Sequence, residues 1–191
     1  MAENQLGDNE RMEIGGEGVE VEADEVAFRC KVGKRSDGTD CIWWIRYFGM
    51  FRRGSSKVFL ACLPDRAVSG SGQGGGGALS IEELIEVLRL NTDRPALVRR
   101  SILHTDSAKS YKKIGPLRWP EAGAVDSEWQ STAPFAAHEY THTNVTHKKT
   151  VGQDVKWVLR KSVTLADGTS KDVIAGTEKI DGYWATMRRS M

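Results

Sequence analysis

The chain has 191 residues and carries 27 Lys and Arg against 26 Asp and Glu, a formal net charge of +1. That length fits one domain with a core of its own, and so even a balance announces no global basic field for nucleic acid. No run reaches the roughly 18 apolar residues that a membrane span needs, the amino terminus is acidic rather than basic-then-apolar, and three cysteines without a Cys-x-x-Cys pair are a poor disulfide framework. The expectation is a soluble protein in a reduced intracellular compartment, nuclear in a eukaryote and cytoplasmic in a bacterium.

Residues 1–17 are polar, acidic and glycine-containing, and read as a disordered lead-in. Residues 18–191 read as one domain. From residue 18 the chain alternates: Val19, Val21 and Ala23 share one face of a strand, and Glu20, Glu22 and Asp24 share the other. That second face turns apolar at Val26 and Phe28, so Asp24 falls where the strand enters the core. A turn at Lys34 to Asp40 and two aromatic, β-branched runs at 41–49 and 57–63 make a three-strand antiparallel meander over 18–63. The glycine-rich stretch 69–77 is a flexible connector; it lacks Gly-Lys-Ser/Thr and the regular spacing of a dinucleotide fingerprint.

Ser80 and Glu83 form a capping box, and Ile81, Leu84, Ile85 and Leu88 fall on one face of a helix ending at about residue 90, with Asn91 as its stop. Ser101 to Leu103 is a short strand, parallel to an earlier one because a helix intervenes, and Asp106 stands where it runs out. Residues 115–137 are irregular, 140–151 favour strand, 155–174 form a hairpin turning at Ala166-Asp167-Gly168, and Thr177 to Met191 is a helix with Ile180, Trp184 and Met187 on one face and Asp181 beside it.

The carboxyl ends of strands are where open α/β sheets place their chemistry. Asp24, Asp106 and Asp181 are three separated acids in such settings, which points to a magnesium site. The structural alternative takes each acid alone: a solvated strand residue, a helix N-cap and a first-turn acid. Charge is uneven along the chain, with Glu3 to Glu22 acidic and Lys148, Lys149, Lys156, Arg160, Lys161, Arg188 and Arg189 basic, so a local basic surface is open to phosphates.

Four places together resemble the DDE transposases of the Merlin-type and related bacterial insertion-sequence family, whose catalytic core is ribonuclease-H-like. They are Val-Glu-Ala-Asp-Glu at 21–25, Pro64-Asp65-Arg66 as an acid–Arg turn ending the third strand, His104-Thr105-Asp106-Ser107-Ala108-Lys109-Ser110-Tyr111, and Thr177-Glu178-Lys179-Ile180-Asp181-Gly182-Tyr183-Trp184 followed by Arg188 and Arg189. The resemblance covers roughly residues 18–191. It implies an α/β, ribonuclease-H-like mixed sheet with flanking helices, and Mg²⁺- or Mn²⁺-dependent cleavage and transfer of DNA strands. Asp24, Asp106 and Asp181 would be the metal ligands, with Glu178 the alternate third acid. Lys109, Lys148, Lys149, Arg188 and Arg189 are the candidate phosphate contacts, and a homo-oligomer is compatible. The chain departs from the family in having Asp rather than Glu at 181 and no amino-terminal DNA-binding region. A host-adopted binding relative without turnover is therefore the second reading.

A third reading comes from His138-Glu139-Tyr140-Thr141-His142, a literal His-Glu-x-x-His. Two such histidines converge on zinc only if the segment is helical, and Tyr140, Thr141, Thr143, Val145 and Thr146 make a poor helix. His147 also stands five residues after His142, where the extended zinc motif has six.

Overall fold

A computed structural model describes residues 13–69, 77–89, 95–106, 108, 110, 111, 140–145, 158–165 and 167–190. The expectations for residues 1–12, the connector at 70–76, the stop at Asn91, the irregular stretch 115–137 and the strand beyond Val145 fall outside that set. The chain is mixed α/β. In order, its elements are β1 (Ile14–Gly15), β2 (Glu20–Lys34), β3 (Asp40–Arg52), β4 (Val58–Ser69), α1 (Ile81–Leu88), β5 (Leu97–Val98), β6 (Ile102–Thr105), β7 (Thr141–Asn144), β8 (Leu159–Thr164), β9 (Ser170–Ala175) and α2 (Glu178–Ser190).

Five strands form the main sheet in the order β4-β3-β2-β6-β7. β2, β3 and β4 are the antiparallel meander read from the sequence. β6 adds parallel to β2, with Glu20 beside Ile102, Val21 beside Leu103 and Glu22 beside His104, and β7 adds parallel to β6. A parallel addition needs a crossover longer than a hairpin turn, and α1 supplies it between β4 and β6. β8 and β9 form a separate hairpin, and β1 pairs with β5.

The alternation in β2 sorts the two faces of the sheet. Val21 and Ala23 pack with Phe48, Met50, Leu63, Leu84 and Leu88 in the larger core, the face that α1 covers. Val26 packs with Ile180 and Trp184 of α2 on the other face, joined by Phe28, Tyr47 and Phe51. α1 begins as expected: Glu83 N–H donates to Ser80 Oγ at 3.2 Å, and Ser80 N–H donates to Glu83 Oε2 at 2.9 Å. It stops at Leu88, because Arg89 takes a left-handed φ of 54° and closes the helix with its own N–H on Glu86 and Ile85 carbonyls.

Two expectations change and a third is met. Ile14 is buried in β1, beside Leu97 of β5 and within the larger core, so the reading of a disordered lead-in gives way at that residue. Pro64-Asp65-Arg66 is not a turn: β4 continues through it to Ser69, and the register with β3 shifts between Trp44 and Arg46, a bulge that accommodates a proline with no N–H for the ladder. His142 lies on β7, an extended strand, as the β-branched composition of 140–151 predicts.

Candidate active site

The register of β2 and β6 explains how two of the predicted acids become neighbours. Glu22 is paired with His104. Asp24 and Asp106 each stand two residues further along, on the same side of the sheet, at the end where β6 has run out. Asp106 then turns the chain, its Oδ1 accepting Ala108 N–H at 2.9 Å.

The third acid arrives on α2. Asp24 is paired across the sheet with Gly49, and Gly49 is where α2 comes down. A β-carbon at Gly49 would stand 2.6 Å from two ring carbons of Trp184 and 3.1 Å from Ile180 Cδ1, so only a bare backbone allows this approach. Asp181, next after Ile180, has its Oδ2 held by Thr177 Oγ1–H at 2.9 Å. Asp24 feels the result. Burial pushes its carboxyl well above the ordinary range, and the charges of Glu25, Asp181 and Asp106 push it further, in that order. Acids from the loop after β6 and from α2 thus bear on the carboxyl of a strand residue. Glu178 is exposed on the first turn of α2. Among the described residues, no group of three or more His, Cys, Asp and Glu is placed so that it could hold a metal ion.

Two residues were missed by sequence reasoning. Glu25 points to the opposite face from Asp24, where the buried Tyr111 hydroxyl donates to its Oε2 and Leu79 N–H donates to Oε1 at 3.4 Å. Burial raises the Glu25 carboxyl and, more strongly, the Tyr111 phenol. The bond ties the segment after Asp106 back to β2, the strand that carries Asp24. Glu22 is 1% exposed beneath the first turn of α2. Alternation alone assigned it to an outer face and gave no sign of a cover.

His104 is buried. Its Nδ1 meets Thr143 Oγ1 at 2.6 Å and its Nε2 meets Glu20 Oε2 at 3.2 Å, and burial lowers its basicity. His142 is also buried, with Nε2 and Thr105 Oγ1 2.7 Å apart. Each histidine shares a hydrogen bond with a threonine of the neighbouring strand, His104 with Thr143 and His142 with Thr105.

Arg188 and Arg189 are exposed in the last turn of α2, where basic side chains complement the helix dipole. Lys109, Lys148 and Lys149, and with them His138, Glu139 and His147, lie outside the described residues.

The chemistry of the donor set fits a hard divalent cation. Every candidate ligand is a carboxylate on or beside a regular element, and Asp24 is lifted first by burial and then by neighbouring acids, costs that a bound cation would offset. No helix among the described residues is long and apolar enough to cross a membrane. No family model, no curated protein and no solved structure matches the chain.

Proposed function

We propose that the chain is a ribonuclease-H-like catalytic domain of the DDE transposase kind, which binds DNA and carries out divalent-metal-dependent strand cleavage and transfer. The observation that carries this reading is placement: the β2–β6 register sets the end of β6, where Asp106 stands, beside Asp24, and α2, which carries Asp181, is seated on Gly49, the residue paired with Asp24. The element order supports it as well: a meander, a helical crossover, two parallel strands and a closing helix occur in the order the resemblance calls for.

In this reading Asp24, Asp106 and Asp181 hold Mg²⁺ or Mn²⁺, with Glu178 as the alternate third acid. When bound, such a cation supplies the charge that activates an attacking water or DNA 3′-hydroxyl and stabilises the departing oxygen. The protein's share is alignment. β2 and α2 are rigid, Asp106 is fixed by its turn and by the Tyr111–Glu25 bond, and the basic end of α2 at Arg188 and Arg189 offers phosphate contacts that position without reading sequence. The second reading is a binding relative without turnover, in which the same acids hold no metal.

The test combines calorimetry with Mn²⁺ and nicking of supercoiled plasmid by the wild type, Asp24→Asn and Asp106→Asn. The proposal expects binding that weakens about 10- to 100-fold in each variant, with nicking lost. Mn²⁺ affinity unchanged by Asp106→Asn would move the site elsewhere. DNA binding without nicking under either metal would establish the binding relative instead.

A further inference from the structure

Glu22 lies on β2 two residues before Asp24, on the same face, and is buried. A buried carboxylate is costly unless its oxygens are satisfied. Here Oε2 accepts two backbone N–H groups, Lys179 at 2.7 Å and Ile180 at 3.1 Å. Both belong to the first turn of α2, whose amides have no partner within the helix. Oε1 accepts Arg53 Nε–H at 2.7 Å. Arg53 continues the clamp: Nη2–H donates to the Gly176 carbonyl at 2.9 Å, and Nη1–H donates to the Ile174 carbonyl and to Glu20 Oε2. One carboxylate and one guanidinium therefore grip the end of β9 and the start of α2.

The apolar seat of α2 does not do this work by itself. Ile180 and Trp184 on Val26 and Gly49 supply burial, which is non-directional and tolerates sliding along the helix axis. A slip of one residue moves a helical side chain by about 1.5 Å along the axis and turns it through about a quarter of a turn. Two directed bonds to consecutive amides forbid that slip. Asp181 is the next residue after the second of those amides.

We propose that Glu22, latched by Arg53, is the positioning residue that sets Asp181 beside Asp24. It acts through the backbone of α2 and touches neither metal nor DNA. The importance of Asp181 rests on the transposase-type reading; the placement of α2 by Glu22 does not.

Nuclear magnetic resonance on the full chain separates the two. The Trp184 ring lies against Gly49, so the Gly49 α-protons carry a ring-current shift that reports the seat of α2 without any metal. Glu22→Met keeps the bulk in the slot and removes both acceptor oxygens; Glu22→Gln keeps one carbonyl oxygen for the two amides. The expectation is that Met moves the Gly49 signal toward its random-coil value and that Gln, which keeps the acceptor for the two amides but sets an NH2 against Arg53 Nε–H, restores it in part. Mn²⁺ affinity should follow, about 10- to 100-fold weaker in Met and partly recovered in Gln.

An unmoved Gly49 signal in Glu22→Met overturns the proposal. So does a Mn²⁺ affinity that Met leaves intact. If Glu22→Met does not fold, Arg53→Lys replaces it: the charge stays, the fork onto the Ile174 and Gly176 carbonyls goes, and the same signal must move in the same direction or the latch is refuted. A Gly49 signal that behaves as expected in a wild-type protein binding no Mn²⁺ leaves Glu22 as the anchor of α2 and removes the metal reading alone.

Discussion

Replacing Gly49 by alanine forces a collision whose size can be worked out. The new β-carbon would stand 2.6 Å from Cη2 and from Cζ2 of Trp184 and 3.1 Å from Cδ1 of Ile180, where carbon atoms rest comfortably at about 3.5–4.0 Å. The ring must therefore retreat by roughly 1 Å. Trp184 is 2% exposed and Ile180 0%, so neither has free space, and the displacement passes to α2. Overpacking of this kind costs about 1–3 kcal/mol, and contact with two stiff side chains places it in the upper half. Against this, alanine restricts the unfolded chain more than glycine does, which returns about 0.4–1 kcal/mol because Gly49 does not sit at positive φ. The net expectation is a loss of about 1–2 kcal/mol.

Trp184→Phe supplies the decisive comparison. It removes the outer ring atoms that the methyl strikes, and by itself costs about 1–2 kcal/mol in lost burial. In the double variant the methyl occupies vacated space, so the pair should be at least about 1 kcal/mol more stable than the two single losses predict. Urea unfolding followed by far-ultraviolet circular dichroism measures all four proteins. Additivity within about 0.5 kcal/mol would mean that α2 does not lean on the backbone at residue 49.

Two further predictions concern the framework. Ser80→Ala deletes half of the capping box and should cost about 1 kcal/mol. Glu83→Ala should cost about 3–5 kcal/mol, because Glu83 also accepts from Arg46 at 2.7 Å and that guanidinium is 1% exposed; equal urea midpoints for the two variants would refute the ranking. Acid stability should depend on Glu20, whose carboxyl is lowered to about 2, chiefly by the His104 hydrogen bond and then by Lys171 and Arg53, against the opposing effect of burial. A depressed carboxyl stabilises fully above its unfolded value and loses that contribution as pH falls through the folded one, so the window runs from about pH 4.5 down to about 2. After solvent screening the contribution is about 1–2 kcal/mol. Glu20→Gln should flatten the pH dependence of unfolding across that window; an unchanged slope would show that the network around Glu20 carries no such energy.

The local signals in the sequence were those that a short stretch of chain satisfies alone. The alternation of β2, the capping box of α1 and the apolar stripe of α2 are each complete within one element, and each is present. What escaped depends on partners remote in the chain. Glu22 belongs to a run of alternating acids and reads as solvated, yet its cover is a helix start 157 positions away. Arg46 interrupts an aromatic strand and is buried there because Glu83, on a helix across the larger core, meets it with both oxygens. Glu25 looks like one more acid of a motif and is instead bound by Tyr111 on the face opposite Asp24. Asp106 was legible because a strand end is a local feature; its position beside Asp24 was fixed by the β2–β6 register, which no local pattern states.

The same strand face shows why Asp24 differs from the acids before it. Three carboxylates step along β2 at intervals of two residues. Glu20 meets Arg53, Lys171 and His104. Glu22 meets Arg53 and two helix amides. The carboxyl of Asp24 is raised first by burial and then by the charges of Glu25, Asp181 and Asp106. Arg53 compensates the first two, and two more of its donors go to the Ile174 and Gly176 carbonyls. Those two bonds help seat α2, and the seating of α2 brings Asp181 toward Asp24. The guanidinium that neutralises the outer acids is thus also part of what concentrates negative charge at the inner one. A sheet built only for stability would gain from an apolar side chain or a paired cation at position 24. In the transposase-type reading proposed above, a small hard cation would supply the positive charge that position 24 lacks.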